Sequence, residues 1–217
     1  HGVFRRQRQM CIRDRDINNA FSSIAIDEKD QKYLAFTWNN RKYTFLRASQ
    51  GLKNVPAIFH SIMCDMFSRQ SLDKYKEKFP NTITFVDWME FMIHYVDDIC
   101  VYTTNKGTKE EVKNIHKNAV HAILWTIGEN NLRVKGDKIE LFKSRITFLG
   151  YKIDSQDNWK TIPEAKLEVF RSFNTPSSKA ELNSILCILT YYSLAIPFIR
   201  PIALPLLEVL ENEGDFI

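Results

Sequence analysis

Residues 92–102 read MIHYVDDICVY, a β-prone run interrupted by two adjacent carboxylates, Asp97 and Asp98. Burying one unpaired charge is expensive, and two like charges side by side add repulsion. Successive residues of a straight strand point to opposite faces, so the two aspartates cannot share a face within one. Placed at the turn of a hairpin, HYV-DD-ICVY, both are exposed at its tip while the flanking apolar residues anchor it. That arrangement suits a hard cation such as Mg2+, which takes carboxylate oxygens, keeps several waters and binds phosphate. Ordinary turn chemistry is the competing explanation, because Asp favours hairpin turns for its local hydrogen bonds.

A second stretch bears on the choice. RDINNAFSSIAID (15–27) places Asp16 after what reads as the end of another strand, with Phe21 five residues later. Three aspartates from two strands would make one two-metal site of the kind that polarises a phosphoryl oxygen and clamps attacking and leaving oxygens.

Working outward, KYLAFTWNNRKYTFL (32–46) predicts a β-hairpin turning at Asn39-Asn40, residues that tolerate positive φ. In ASQGLKNVPAIFHSIMCDMF (48–67), Gly51 breaks the strand, Asn54 caps a helix and Pro56 sits in its first turn. Ile58, Ile62 and Met66, with Phe59 and Met63, form its core stripe. The polar stretch 70–87 reads as a connecting loop. Thr108 to Glu111 is a capping box opening a helix with Val112, Ile115, Ala119, Ile123 and Ile127 on one face. Residues 144–154, SRITFLGYKID, predict another hairpin. Ser178 to Glu181 is a second capping box before Leu182, Ile185, Leu186 and Leu189, and Pro197, Pro201 and Pro205 then end regular structure. Strands, hairpins and helices in this order give an α+β class.

The totals set bounds. The chain has 217 residues, 44% apolar, enough for one substantial core or one domain with a smaller lobe. Its formal charge of +4 lies wholly in residues 1–15, HGVFRRQRQMCIRDR, so bulk charge gives no sign of a nucleic-acid partner. The chain begins with His rather than Met and reads as a fragment. Its first fifteen residues are a doubtful segment, extraneous or a remnant, and receive no structural weight beyond Arg15. Cys11, Cys64, Cys100 and Cys187 show no metal-ligand spacing and read as free thiols of a reducing, intracellular compartment. The uncharged run 183–199 is short for a membrane span and reads as a buried helix, so no membrane partner is expected.

Five stretches in order, DINNAF (16–21), SQGLKNVPAIF (49–59), YVDD (95–98), KIELF (138–142) and FLGY (148–151), resemble motifs A to E of reverse transcriptases. The chain is most similar to those of retroviruses and gypsy-type LTR retrotransposons, and its tail resembles the start of their thumb. The resemblance implies a polymerase palm over 16–154, with an antiparallel sheet packed on helices, and a small helical start of the thumb or connection over 155–217. It implies RNA-directed DNA polymerase activity using two Mg2+ ions, with Mn2+ as a substitute, on an RNA or DNA template-primer and dNTPs. Asp16, Asp97 and Asp98 match the metal-binding carboxylates. Ile17, Asn19, Ala20, Phe21, Gln50 and Gly51 match the nucleotide-binding positions, with Phe21 beneath the deoxyribose. Lys138 matches a lysine that protonates the leaving pyrophosphate, and Phe148, Leu149, Gly150 and Tyr151 match the grip on the primer end.

Departures from the pattern count as well. The family carries a long fingers segment before its first motif and an RNase H region beyond, and both are missing regions of a larger polyprotein here. These 217 residues alone are therefore expected to be weak or inactive, in the cytoplasm or within a virus-like particle. Two other readings compete: a decayed or domesticated nucleic-acid-binding module, and the palm of an RNA-dependent RNA polymerase. Retention of all three aspartates opposes the first. Val96 and Phe21 fit the second poorly, since such enzymes carry Gly before the acidic pair and a polar group for the 2′-hydroxyl.

Overall fold

A computed structural model of the chain describes residues 10–14, 17, 19–103, 107–136, 139–154, 159–196 and 198–211. It divides into two compact units, His1–Phe148 with Asp154–Asn158, and Leu149–Ile153 with Trp159–Ile217. In chain order the first unit holds β1 (Met10–Asp14), β2 (Phe36–Trp38), β3 (Arg41–Tyr43), α1 (Val55–Met66), α2 (Arg69–Lys78), β4 (Met92–Tyr95), β5 (Asp98–Thr103), α3 (Lys109–Glu129), β6 (Ile139–Lys143) and β7 (Arg145–Phe148). The second holds β8 (Tyr151–Asp154), which ends on the boundary, then β9 (Trp159–Thr161), α4 (Glu164–Arg171), α5 (Lys179–Tyr191) and α6 (Ile199–Glu211). This is the mixed α+β class expected.

The central sheet runs β4-β5-β1-β6, and each neighbouring pair of strands in it is antiparallel. Residues 99–103 of β5 are buried without alternation, as befits an interior strand covered on both faces. Strand β1 lies between β5 and β6, Asp14 standing opposite Ile99. Residues 10–14 thus sit inside the sheet, contrary to the expectation that they carry no structural weight.

Helix α3 begins as expected. Glu111 N–H donates to Thr108 Oγ1 at 3.3 Å while Thr108 N–H donates to the Glu111 carboxylate at 2.6 Å. That backbone donor holds the Glu111 carboxyl below its usual range. Val112, Ala119, Ala122, Ile123 and Ile127 form its buried stripe. Asn39 and Asn40 both take positive φ, 46° and 57°, in the β2–β3 turn, but the hairpin is shorter than expected because residues 31–34 coil into a 3-10 turn.

Four expectations need correction. Residues Arg69–Lys78 are helix, not loop: Leu72 and Tyr75, one turn apart, are both fully buried. The indole of Trp88 donates to Ser68 O at 2.9 Å and seals the start of that helix. In α1 the core face is Val55, Phe59, Met63 and Met66, whereas Ile58 and Ile62 are exposed. Asn54 precedes α1 without a side-chain cap, its own backbone already helical at φ −92° and ψ −12°. Pro201 and Pro205 lie within α6; Pro201 falls in the first turn, where its missing N–H has no partner to lose. Pro197 lies outside the described residues.

The second unit's helices pack through Leu182, Leu186, Ala203 and Leu210. Ser178 caps α5, accepting from Glu181 N–H at 3.3 Å, but Glu181 returns to Ser177 N–H at 2.7 Å rather than to Ser178. Cys64 and Cys187 are free thiols, and among the described residues no helix is long and apolar enough to cross a membrane.

His116 of α3 is fully buried, its Nδ1 2.6 Å from Thr103 Oγ1 and its Nε2 without a hydrogen-bond partner. Burial lowers its pKa from the ordinary 6.5 to about 4. Between those values the unfolded chain takes up a proton that the folded chain refuses. Stability is therefore flat above pH 6.5 on this group's account and falls as pH drops toward 4, by up to about 3 kcal/mol. Urea midpoints measured across that window should fall with acidification, and His116→Gln should flatten the slope. An equally steep slope in the variant would assign the effect elsewhere, His94 being a second histidine that burial pushes down.

Candidate functional site

The acidic pair sits one residue out of the expected phase. Tyr95 pairs with Asp98 across the hairpin, so the two-residue turn is Val96-Asp97 and Asp98 is already the first residue of β5. Val96 carries φ 54° while Asp97 does not turn positive, the pattern of a type II′ turn that normally takes Gly at its first central position. A β-branched residue held there is a backbone outlier of the kind that gathers at functional sites. Both aspartates are half-buried rather than fully exposed at a tip.

Beside the turn lies a cavity of about 210 Å³ lined by Ile17, Asn19, Ala20, Phe21, Ser22, Gln50, Asp97 and Lys135. Each wall has a local cause. Ile17 is 3% exposed and bridges Val134, which brings the next residue, Lys135, to the rim. Ala20 N–H donates to Ile17 O at 3.2 Å, closing a turn in which Asn19 takes φ 53°. That N–H is already engaged, so an anion at this end would draw more on Asn19. Phe21 opens a short 3-10 turn and sets its ring edge-on to the fully buried Phe59, centroids 6.0 Å apart at 76°.

Gln50 reaches the same space from a distant segment. Ile26 N–H donates to Leu46 O at 3.0 Å and Ala48 N–H to Ile24 O at 2.9 Å, while Arg47 Nη1 donates to Ser23 O at 2.8 Å. These bonds draw the segment leading to Gln50 alongside the Phe21 turn. Gly51 follows with φ 95°, a conformation that L side chains resist.

The structure therefore brings Ile17, Asn19, Ala20, Phe21, Gln50 and Asp97 around one space. Gly51 adjoins it in sequence and Asp98 stands at the strand start. Asp16 and Lys138 lie outside the described residues. Phe148 is buried at the end of β7, and Leu149 and Gly150, φ 46° and 72°, turn the chain into Tyr151. Sequence reasoning missed Ser22 and Lys135. The available signal for Lys135 was weak: a second lysine three residues before Lys138, in VKGDK. A carboxylate, an ammonium, amide groups and an aromatic wall around one cavity can hold a ligand that carries both anionic groups and a flat, partly apolar body.

The model of a family described as "Reverse transcriptase (RNA-dependent DNA polymerase)" matches residues 1–153. The chain is 27% identical over 202 residues to the retrovirus-related Pol polyprotein from transposon gypsy of Drosophila melanogaster, covering 93% of this chain and 17% of that polyprotein. It is 30% identical over 191 residues to the corresponding polyprotein from transposon opus of the same fly, covering 88% and 16%. The chain thus spans under a fifth of the length of these relatives. A foamy viral protease-reverse transcriptase solved with double-stranded DNA shares the fold, with TM-score 0.67 at 23% identity over 97% of this chain and 32% of that one.

Gly51 offers a test of the backbone that shapes the site. A Cβ there would meet nothing within 4 Å, so any cost of substitution comes from φ alone. Gly51→Ala should destabilise by about 1 kcal/mol or more, while Gly51→Asn, which tolerates positive φ, should cost clearly less. Chemical unfolding of both variants measures this, and equal losses would place the cause in packing.

Proposed function

We propose template-directed DNA synthesis as the activity of this chain, which belongs to the reverse transcriptase (RNA-dependent DNA polymerase) family. The observation that supports it best is the shared cavity. Residues from three separate stretches, assigned by sequence to an incoming nucleotide and to a metal-holding carboxylate, line one space with Lys135. The chemistry is attack of a primer 3′-hydroxyl on the α-phosphate of a dNTP, with an RNA or DNA template-primer as partner, inside the cell.

The donor set fits Mg2+. Asp97 and Asp98 are hard oxygen donors on adjacent residues, one at the cavity wall and one at the strand start, without a soft ligand between them. Asp16 is the third proposed holder. The described residues on either side support it: Asp14 stands opposite Ile99, the neighbour of Asp98, and Ile17 shares the cavity with Asp97. When bound, two such ions neutralise phosphate charge and stabilise the attacking and leaving oxygens.

The chain's own residues do the placing. Phe21, braced on Phe59, supports the sugar; Asn19, with Ala20, meets the phosphates; Gln50 and Gly51 line the template side. Phe148 to Tyr151 hold the primer terminus, which converts an encounter in solution into a reaction at fixed geometry. Lys138 gives a proton to the departing pyrophosphate, and Lys135 adds charge toward the same anion. Because the chain spans 17% of the gypsy polyprotein, primer extension by these 217 residues alone should be weak beside a polypeptide carrying the flanking regions.

Two substitutions test the reading in such a longer polypeptide. Asp97→Asn should abolish extension and leave primer–template affinity largely intact; equal loss of both would make the carboxylate structural. Phe21→Val should raise rNTP use relative to dNTP. In the native site a 2′-hydroxyl pressed on the ring loses its water without gaining a partner, costing about 1–3 kcal/mol, roughly fivefold to 150-fold. Single-nucleotide extension with each nucleotide class measures the ratio. An unchanged ratio would make Phe21 a core residue and favour the RNA-polymerase alternative.

A further inference from the structure

Two tyrosines of α5 and its end, Tyr191 and Tyr192, pack against Leu149–Tyr151. Tyr191, the last residue of α5, donates its Oη–H to the Leu149 carbonyl oxygen at 2.8 Å. Tyr151 returns the favour in kind, its Oη–H donating to the Tyr191 carbonyl oxygen at 2.5 Å. The two rings stack with centroids 6.0 Å apart at 21°. Tyr192, 5% exposed, stands edge-on to both, 5.4 Å from Tyr151 and 4.9 Å from Tyr191. Phe170 of α4 braces it from 5.5 Å. All these groups belong to the second unit.

The turn needs such support. Leu149 at φ 46° is a non-glycine residue in the left-handed region, a conformation that persists only where surroundings impose it. A Cβ on Gly150 would stand 3.1 Å from Tyr192 Oη and 3.4 Å from the Tyr191 ring, so the glycine permits both the φ of 72° and the close approach. Tyr191 is itself 54% exposed, so burial alone gives little reason for its placement. What distinguishes it is the bond to the Leu149 backbone.

We infer that Tyr191 and Tyr192 are positioning residues, setting the Leu149–Gly150 turn from α5 and so fixing where that turn holds a primer terminus. The inference rests on the primer-gripping role proposed for Phe148–Tyr151. Tyr191 acts through the turn's backbone and Tyr192 limits its travel, so neither touches the reacting atoms.

The test uses a polymerase that carries residues 1–217. Tyr191→Phe keeps the stacked ring and deletes the bond to Leu149. Its melting temperature and pre-steady-state burst amplitude should match the native protein. Its burst rate should fall roughly fivefold, and discrimination against a mismatched primer end should narrow. Native burst rate and native discrimination would overturn the inference. So would a reduced burst amplitude at unchanged rate, since that marks a smaller folded fraction. Gly150→Ala should give a larger loss of rate. If the native polymerase extends no primer, the polymerase reading itself fails, and the turn is then judged by exchange of the Gly150 amide. Tyr191→Phe should speed that exchange roughly fivefold, and unchanged exchange would overturn the hold on the turn.

Discussion

Strand β5 is buried on both faces from Ile99 to Thr103, and this constraint organises the first unit. A strand in that position admits no unpaired charge along its length, so a carboxylate can stand only at its beginning. The pairing of Tyr95 with Asp98 sets that beginning. It leaves Val96 and Asp97 as the whole turn, forces Val96 to positive φ, and brings Asp97 to the cavity wall. The same interior strand holds β1 against it in register, Asp14 opposite Ile99, and Ile17 and Phe21 line the cavity with Asp97. The chemistry proposed for the site follows from one strand being too deeply buried to carry its acids anywhere else.

A second regularity is that short turns with unusual backbone bound the segments proposed to act. Asn19, Val96, Leu149, Gly51 and Gly150 all take positive φ. Three of these are neither Gly nor flanked by a long loop that could relax, so packing must hold them. At Val96 the hold comes from the hairpin and from the partial burial of its side chain against the core. At Leu149 it comes from a tyrosine hydroxyl.

Much of this was legible in the sequence. The motifs named six of the eight residues that line the cavity, and the Thr108 box and the Asn39-Asn40 turn formed as their chemistry dictates. What was not legible depends on pairing and packing. The phase of the acidic hairpin is decided by which residues bond across it, and YVDD permits either phase. Helix α2 has only Leu72 and Tyr75 to mark its buried face, too few to register against its charged residues. In α1, the stripe through Ile58 and Ile62 and the stripe through Val55, Phe59 and Met63 are equally apolar, and only the neighbours choose between them. Lys135 reaches the site because Val134 bridges Ile17, a contact that no local pattern announces.

The β2–β3 hairpin has an optical consequence. Every residue of both strands is exposed, Trp38 at 70%, while Trp88 lies in the core at 2%. A two-stranded ribbon of this length is marginal by itself and opens without disturbing the core. Of the protein's four tryptophans, Trp38 and Trp88 thus stand in contrasting media. With Trp125 and Trp159 replaced by Phe, a water-soluble quencher added to the folded protein would extinguish the red-shifted emission of Trp38 and spare that of Trp88, so fraying of the ribbon and melting of the core can be followed as separate signals in one sample.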